Sequence, residues 1–412
     1  MRLRRSVEAL PSARGRWPAA LGAALLALAA CGGTGGGQTA SPIVVCVDAA
    51  LSGPFVQLGQ YDVVGVKAYF NTINRRGGLL GRKVNVAVEN DQSSPPLAAT
   101  LARKCVTQDH ANFILGPEET SSSAAAVPVA DALQTVMIGM QSGWNMQGLT
   151  QPQLHSYAFP GYYNVFYQND LDTVLKLIVP RHYTRIAVIQ DATSGGLPNE
   201  GYMRTLGKQY GFEVVAVQNT QPGQTNDTPQ VLALLAARPQ IIVLGMTPGP
   251  DTTTAIRAIR SQDPDIPISE CSGCWLPSFI AATGGPAIMR NVYLLGSIQE
   301  LVASLPDTPE NRSTIQDAKA YLAAMKASGY TSPDEINSAL IGWAASEELT
   351  QAIRTARSTA ETAVRNALQH QKLDTVGIFW SRTPQDYAHI TRVQDVMAVV
   401  APDGNLQVYQ AG

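Results

Sequence analysis

"NTINRRGGLLGRKVNVAVENDQSSP", Asn71 to Pro95, contains a change of hydrophobic period. Just upstream, Val63, Val64, Val66, Ala68, Tyr69, Phe70 and Ile73 recur with the spacing of one helical face. Gly77-Gly78 ends that helix, because glycine enters the left-handed backbone of a helix terminus without a Cβ clash. From Lys83 to Glu89 apolar and polar residues alternate, the period of a strand. Upstream of the helix, Ile43-Val44-Val45-Cys46-Val47 is a short apolar run rich in β-branched residues, hence a buried strand. Strand, helix, strand is the crossover that parallel strands require.

The alternation continues in both directions from this unit. Pro96 suits the first turn of a helix reaching about Asp109. Phe113–Leu115 reads as a strand, Ser123–Leu133 as a helix and Val136–Ile138 as a strand. The pattern then restarts: Arg185–Gln190 strand, Tyr202–Tyr210 helix, Val214–Val217 strand, Thr228–Ala237 helix, Ile241–Leu244 strand, Thr253–Ser261 helix. After Asn291–Leu295 come two helical stretches, Asn311–Ser328 and Pro333–His370. Val396–Val400 and Leu406–Tyr409 form a hairpin turned at Pro402-Asp403-Gly404. The fold class is α/β, with two doubly wound parallel-sheet lobes.

The 412 residues exceed one ordinary domain, in keeping with two lobes. Acidic and basic residues nearly balance, 32 against 30, and no basic block occurs, so nucleic acid is not an expected partner. The apolar run Ala19–Ala30 falls short of the roughly 20 residues that span a bilayer. It follows Arg2, Arg4, Arg5, Arg14 and Arg16, and ends in small residues, the layout of a secretory signal. Leu28-Ala29-Ala30-Cys31 resembles the bacterial lipobox, which implies lipidation of Cys31 and a mature chain beginning there. The glycine-rich stretch to Pro42 is a flexible tether.

Four cysteines follow Cys31: Cys46, Cys105, Cys271 and Cys274. Export places them where disulfides persist. Cys271-Ser272-Gly273-Cys274 reads as a small bridged loop rather than a zinc site, since no second ligand pair lies nearby in sequence. Cys46 falls in a strand and Cys105 in a helix, and their bonding stays open, because it demands Cα atoms within about 7 Å.

Three segments, "LSGPFVQLGQ", "NTINRRGGLLGRKVNVAVENDQSSP" and "ILGPEETSSSAAAVPVAD", resemble type I periplasmic binding proteins, and within them the branched-chain amino-acid-binding branch that serves ABC importers. The resemblance runs from about Ser41 to Gln410 and is most specific at Gly77-Gly78 with Gly81-Arg82. It implies two lobes joined by a three-crossover hinge that closes on a solute. The layout is then a signal at 1–30, a tether at 31–42, a first lobe at 43–160 and a second at 161–295. Residues 296–412 supply hinge crossings, helices returning to the first lobe and the hairpin. It further implies an extracytoplasmic, membrane-anchored monomer that binds a small polar solute and delivers it to permease and ATPase subunits, without a cofactor. A ligand sensor coupled to a membrane signalling partner is the alternative, as are amides, ureas or small aromatic acids as ligands.

Ligands of open parallel sheets bind beyond the carboxyl ends of the strands. The loops there offer Ser52, Thr120, Ser121, Gln141, Ser142, Trp144, Thr247 and Trp275 as solute contacts. The resemblance implies that small hydroxyl residues of Gly116–Ser123 hold a solute carboxylate or ammonium. A helix starting near Ser122 adds N–H donors, with one serine as its N-cap. Glu118 and Glu119 favour the helix dipole or pair with a cationic ligand group. Trp144 and Trp275 suit an apolar wall. Three loops depart from the amino-acid binders: Gly139–Asn145, Thr193–Asn199 and the position of Leu58. The five histidines are scattered and no GxSxG, HExxH, GxxxxGK[ST] or GxGxxG occurs, so an enzyme is not expected.

Overall fold

The computed structural model describes residues 41–140, 156–161, 173–191, 198–221, 223–246, 249–270, 274–384, 387 and 390–409. Cys31, Gln141, Ser142, Trp144, Thr247 and Cys271 lie outside the described residues, as do the signal and the tether up to residue 40.

The opening stretch folds through its own hydrogen bonds. Helix α1 (Val56–Arg75) follows strand β1 (Ile43–Ala49) and precedes strand β2 (Val84–Asn90). Gly78 has φ +86° and donates its N–H to Ile73 O at 3.0 Å, closing the helix end. A Cβ on Gly78 would lie 2.1 Å from Arg82 O, so only glycine fits this turn. Asn74 then clamps the incoming strand: its amide donates to Val84 O and its carbonyl accepts from Val84 N, both at 2.8 Å.

Strand β1 is the hub of the first sheet. With β2, β3 (Phe113–Leu115), β4 (Met137–Ile138) and β5 (Ala158–Phe159) it forms an all-parallel sheet of order β2-β1-β3-β4-β5. Alternate residues of each strand serve opposite faces. Val45, Val47, Phe113, Leu115 and Ile138 enter one core with α1. Cys46, Ile114 and Met137 enter another beneath α2 (Pro95–Thr107) and α3 (Thr120–Ala132). Both faces are therefore apolar, which makes these strands near-continuous hydrophobic runs. Cys46 of β1 and Cys105 of α2 are bonded, with Cα atoms 5.8 Å apart across 59 residues of sequence. Closing a loop of that size removes about 4 kcal/mol of unfolded-chain entropy.

The second sheet has the order β15-β14-β10-β9-β8-β6-β7. Strands β6 (Arg185–Asp191), β7 (Glu213–Thr220), β8 (Ile241–Gly245), β9 (Ile268–Glu270) and β10 (Val292–Gly296) are parallel. The hairpin β14 (Val396–Val400) and β15 (Leu406–Val408) adds antiparallel to β10. Ala187, Ile189, Ile242 and Leu244 face one core, Ile186, Val188, Ile241 and Val243 the other. The chain passes between the sheets three times: from β5 to β6, from β10 to the helices that follow, and back into β14.

The late helices cover the first sheet. Pro333 to His370 is not one helical stretch, as the sequence suggests, but three helices: Pro333–Ser338, Leu340–Ala356 and Glu361–Leu368. Ala339 interrupts the first pair, and Arg357, at φ +48°, ends the second helix. Residues 371–393, unread in the sequence, form a three-stranded antiparallel sheet of Lys372–Thr375 (β11), Ile378–Ser381 (β12) and Ile390–Val393 (β13). Leu340–Ala356 crosses α1 so closely that a Cβ on Gly342 would lie 2.0 Å from Asp62 O. A Cβ on Gly65 would lie 2.0 Å from Ala339 O. Trp343 packs edge-on against Tyr69 at 4.9 Å and Tyr321 at 5.2 Å.

Beside the passages between sheets, Arg382 is fully buried. It pairs with Glu348 and donates to Tyr387 O at 2.6 Å and Pro160 O at 3.2 Å. Its guanidinium lies 4.0 Å over the Trp380 ring. One cation thereby ties the end of β5 to β12 and to the helix Leu340–Ala356. Among the described residues no helix is long and apolar enough to cross a membrane.

Backbone contact at Gly342 sets a test. Gly342→Val should lower the denaturant midpoint by the equivalent of about 1–3 kcal/mol, the usual cost of overpacking. Gly201→Ala, on an exposed helical position with open space around its Cα, should be neutral or stabilising by up to about 1 kcal/mol. Equal midpoints for the two variants would refute the close crossing.

Candidate functional site

The carboxyl ends of β1, β2 and β3 carry three loops that are laced together. Asn90 accepts from Leu51 N at 2.9 Å and donates to the Ser52 hydroxyl at 3.2 Å. The Ser93 hydroxyl donates to Ser52 O and accepts from Phe55 N, both at 3.1 Å. Gly53, at φ +89°, passes so near Gln92 that a Cβ there would lie 2.6 Å from Gln92 O. Ser52 is exposed on this edge.

The loop after β3 departs from the sequence expectation. Helix α3 begins at Thr120, and its N-cap is Glu119, not a serine. Glu119 Oε2 accepts from Ser122 N at 2.7 Å, and Oε1 accepts from the Ser121 hydroxyl at 2.6 Å. Ser123 turns its hydroxyl back to Pro117 O at 2.7 Å. Of the two roles open to the glutamates, Glu119 takes the helix end. Glu118 turns inward and accepts from Ala50 N at 3.0 Å, fixing the loop after β1 to the loop after β3.

Beneath these loops lies an acidic group that sequence reading missed. Asp48, Asp91 and Glu118 are buried, at 0, 0 and 2 % exposure. Asp91 accepts from Ser93 N at 2.8 Å and has the Ser122 hydroxyl beside it. Neither carboxyl oxygen of Asp48 has a hydrogen-bond partner among the described residues. Burial, reinforced by Asp91, Glu118 and Glu89, pushes the Asp48 carboxyl well above the carboxylate range. Burial, with Asp91 and Glu119 adding to it, pushes Glu118 up to about 8. Burial also raises Asp91. A signal was present in the sequence: an acid stands at or within a few residues of the end of three successive strands, and Asp48 sits among apolar neighbours.

In the second sheet, Gln190, next to last in β6, is buried and donates to Asn219 Oδ1 at 3.1 Å. Met246 follows β8, also buried. Trp275 is 7 % exposed and belongs to the second-sheet core. Its ring occupies the space a Cβ on Gly296 would need, 2.3 Å from Cζ3, and its indole N–H has no partner among the described residues. The structure therefore brings Ser52, Thr120 and Ser121 to one edge of the first sheet and sets Trp275 in the core of the second. The cysteines Cys46 and Cys105, with Asp109, are the metal-type grouping found among the described residues, and the two sulfurs are consumed by their bond.

Two parallel sheets whose carboxyl-end loops carry the polar groups, joined by three passages, are matched in known proteins. The family model described as periplasmic binding protein matches residues 42–404. The chain belongs to the periplasmic binding protein family. It is accordingly a binding protein and not an enzyme. An amino acid binding protein of Pseudomonas aeruginosa is 21 % identical over 293 residues, 70 % of this chain and 74 % of that one. The leucine-specific-binding protein of Salmonella typhimurium is 28 % identical over 179 residues, 41 % of this chain but only 44 % of its own length. An extracellular ligand-binding receptor from Rhodopseudomonas palustris shares the fold, with a TM-score of 0.72 and 18 % identity over 90 % of this chain and all of that one. A branched-chain amino acid transporter substrate-binding protein of Streptococcus pneumoniae, solved with isoleucine, gives 0.69 and 19 % over 89 % of this chain and 99 % of that one.

The buried Glu118 gives this periplasmic binding protein a pH signature. Its carboxyl is raised in the fold from an ordinary 4.5 to about 8. The stability it contributes is full below pH 4.5 and is lost as pH rises through 8. The melting temperature should fall between pH 5.5 and 8.5, and Glu118→Gln should shrink that fall. An identical fall in both proteins would show that Glu118 holds no proton in the fold.

Proposed function

We propose that this chain is an extracytoplasmic solute-binding lipoprotein that closes its two lobes on a small polar, amino-acid-like solute and delivers it to an ABC importer. The observation that carries the reading is the pair of parallel sheets with polar loops at their carboxyl ends, held by three passages in a periplasmic binding protein. Such ends are where open α/β sheets take ligands, and multiple crossings suit hinge closure. The names of the relatives, which bind amino acids, support the solute class.

The binding contacts are proposed to come from Ser52 and Thr120 on the first-lobe edge and from Gln141, Ser142, Trp144 and Thr247 in the loops after β4 and β8. Ser121 is engaged by Glu119 and contributes only if that bond opens. Trp275, buried in the second-sheet core with its indole N–H unpartnered among the described residues, is proposed as a further contact. The anchor is proposed to be a lipid on Cys31, from the run Leu28-Ala29-Ala30-Cys31.

A thermal-shift screen of small polar solutes tests the reading, because a ligand specific to the folded state raises the melting temperature by mass action. A hit should shrink the radius of gyration in solution scattering and be recovered chemically unchanged. A ligand returned altered would reject the receptor. Cys31→Ala should move the protein from membranes to the soluble fraction. An unacylated mature N-terminus at another residue would reject the anchor.

A further inference from the structure

The amino ends of β1 and β2 lie at the opposite end of the first sheet from the candidate site, roughly 20 Å away at the rise of a strand. The chain enters the fold there, and Arg82 grips the entry. Its guanidinium donates to Ser41 O at 2.6 Å, to Pro42 O at 3.3 Å and to the Thr359 hydroxyl at 3.1 Å. Thr359 sets the end of the helix Leu340–Ala356 beside the turn at residues 79–82. That turn closes on itself, Leu79 N to Arg82 O at 2.8 Å and Arg82 N to Leu79 O at 3.0 Å, with positive φ at Leu80 and Gly81. Leu79 is buried, while Leu80 is turned outward at 44 % exposure.

The charge of this pole is one-sided. The whole chain is slightly acidic, with 32 acids against 30 bases. Yet residues 71–88 hold four cations and residues 349–360 two, with no carboxylate in either stretch. Arg75, Arg76, Lys83 and Arg357 are exposed, and none of them makes an ion pair among the described residues. Acids on the neighbouring elements are engaged. Glu361 accepts from Val136 N at 2.8 Å, Glu347 accepts from the Thr375 hydroxyl and faces Arg354, and Asp109 is held by Lys104.

We propose that this pole is a membrane-contact surface, on which Arg75, Arg76, Lys83 and Arg357 meet the phosphate headgroups of an anionic bilayer and Leu80 enters among them. It rests on the anchoring through Cys31 proposed above. Ten residues, Cys31 to Ala40, separate the anchor from the clamped Ser41. A chain of that length spans at most about 35 Å, and about 17 Å on average when glycine-rich. The anchor therefore keeps the pole within reach of headgroup charge, and a lipid chain with a basic patch is the two-signal arrangement that gives firm attachment. Each cation near the surface adds about fivefold to the affinity, and the attraction fades beyond a Debye length. Contact through this pole turns the carboxyl-end loops, with Ser52 and Thr120, away from the bilayer and toward arriving solute.

Vesicle co-sedimentation tests this with the whole mature chain from Cys31, produced unacylated so that the surface is read apart from the anchor. It should bind phosphatidylglycerol vesicles at low salt, bind phosphatidylcholine vesicles at least about tenfold more weakly, and be released by salt. The triple variant Arg75→Gln, Arg76→Gln, Lys83→Gln should bind phosphatidylglycerol about a hundredfold more weakly. Its melting temperature should be unchanged, because these side chains hold no ion pair in the fold. Arg357→Gln alone, on a different element, should weaken binding about fivefold. Lys208→Gln, Arg238→Gln, Lys372→Gln removes the same charge from exposed positions in other segments and should bind as the parent does. No binding, no preference for phosphatidylglycerol, or equal loss in the two triple variants would overturn the proposal and leave the receptor reading standing. Binding lost only in the pole variants, with Cys31 found unacylated in cells, would uphold the surface and reject the anchor.

Discussion

A parallel sheet that is apolar on both faces must be covered on both, and this requirement organises the molecule. The first sheet finds one cover locally, in α2 and α3, which follow its own strands. Its other face carries α1 and still lacks Tyr321, Met325, Trp343, Leu349, Ile353, Val364 and Leu368, all from the late helices. The chain therefore has to come back after building the second sheet. The glycines at 65 and 342 allow the returning helix to lie directly on α1, and the buried Arg382 fastens the return to Pro160. The second of the three passages between sheets, from β10 to the late helices, follows from one unburied face.

Local signals made most of this legible. The segment Asn71–Asn90 carried its helix end in two glycines and its strand in an alternation, and the turn is held by contacts within a dozen residues. Elements failed to show where long-range contacts decided them. The stretch after Pro333 has helical composition throughout, but it breaks at Ala339, whose carbonyl lies against Gly65 of α1, and at Arg357, which takes the left-handed conformation. The small sheet of residues 372–393 has short strands whose partners are one another, with no strong period to announce them. The Cys46–Cys105 bond depended on a distance that spacing alone does not supply.

The edge that carries the candidate residues was legible, and the buried acids beneath it were not. Strand ends located Ser52, Thr120 and Ser121 at the edge where open sheets take ligands. The run of hydroxyl residues before the helix suggested a seat for a solute carboxylate or ammonium with a serine cap, whereas the structure caps the helix with Glu119 and starts it at Thr120. A serine and a glutamate can both cap a helix, and the choice turns on which side chain reaches back to the third N–H. Asp48 and Asp91 escaped notice and Glu118 was read only as a helix-end or ligand-pairing acid, because the three lie in separate segments and meet only when β1, β2 and β3 pair in parallel register.

The return of the late helices also orders events in time. Strands β1 to β5 all precede residue 160, yet the cover for one face of their sheet lies beyond residue 312. A growing chain that has made only the first sheet holds an open apolar surface and gains little from closing it. Contacts spanning such sequence distances form late and slowly. The α1 face of the first sheet is thus kept from completing its native core until the late helices have been synthesised, a condition in which a chain can still be threaded through a narrow pore.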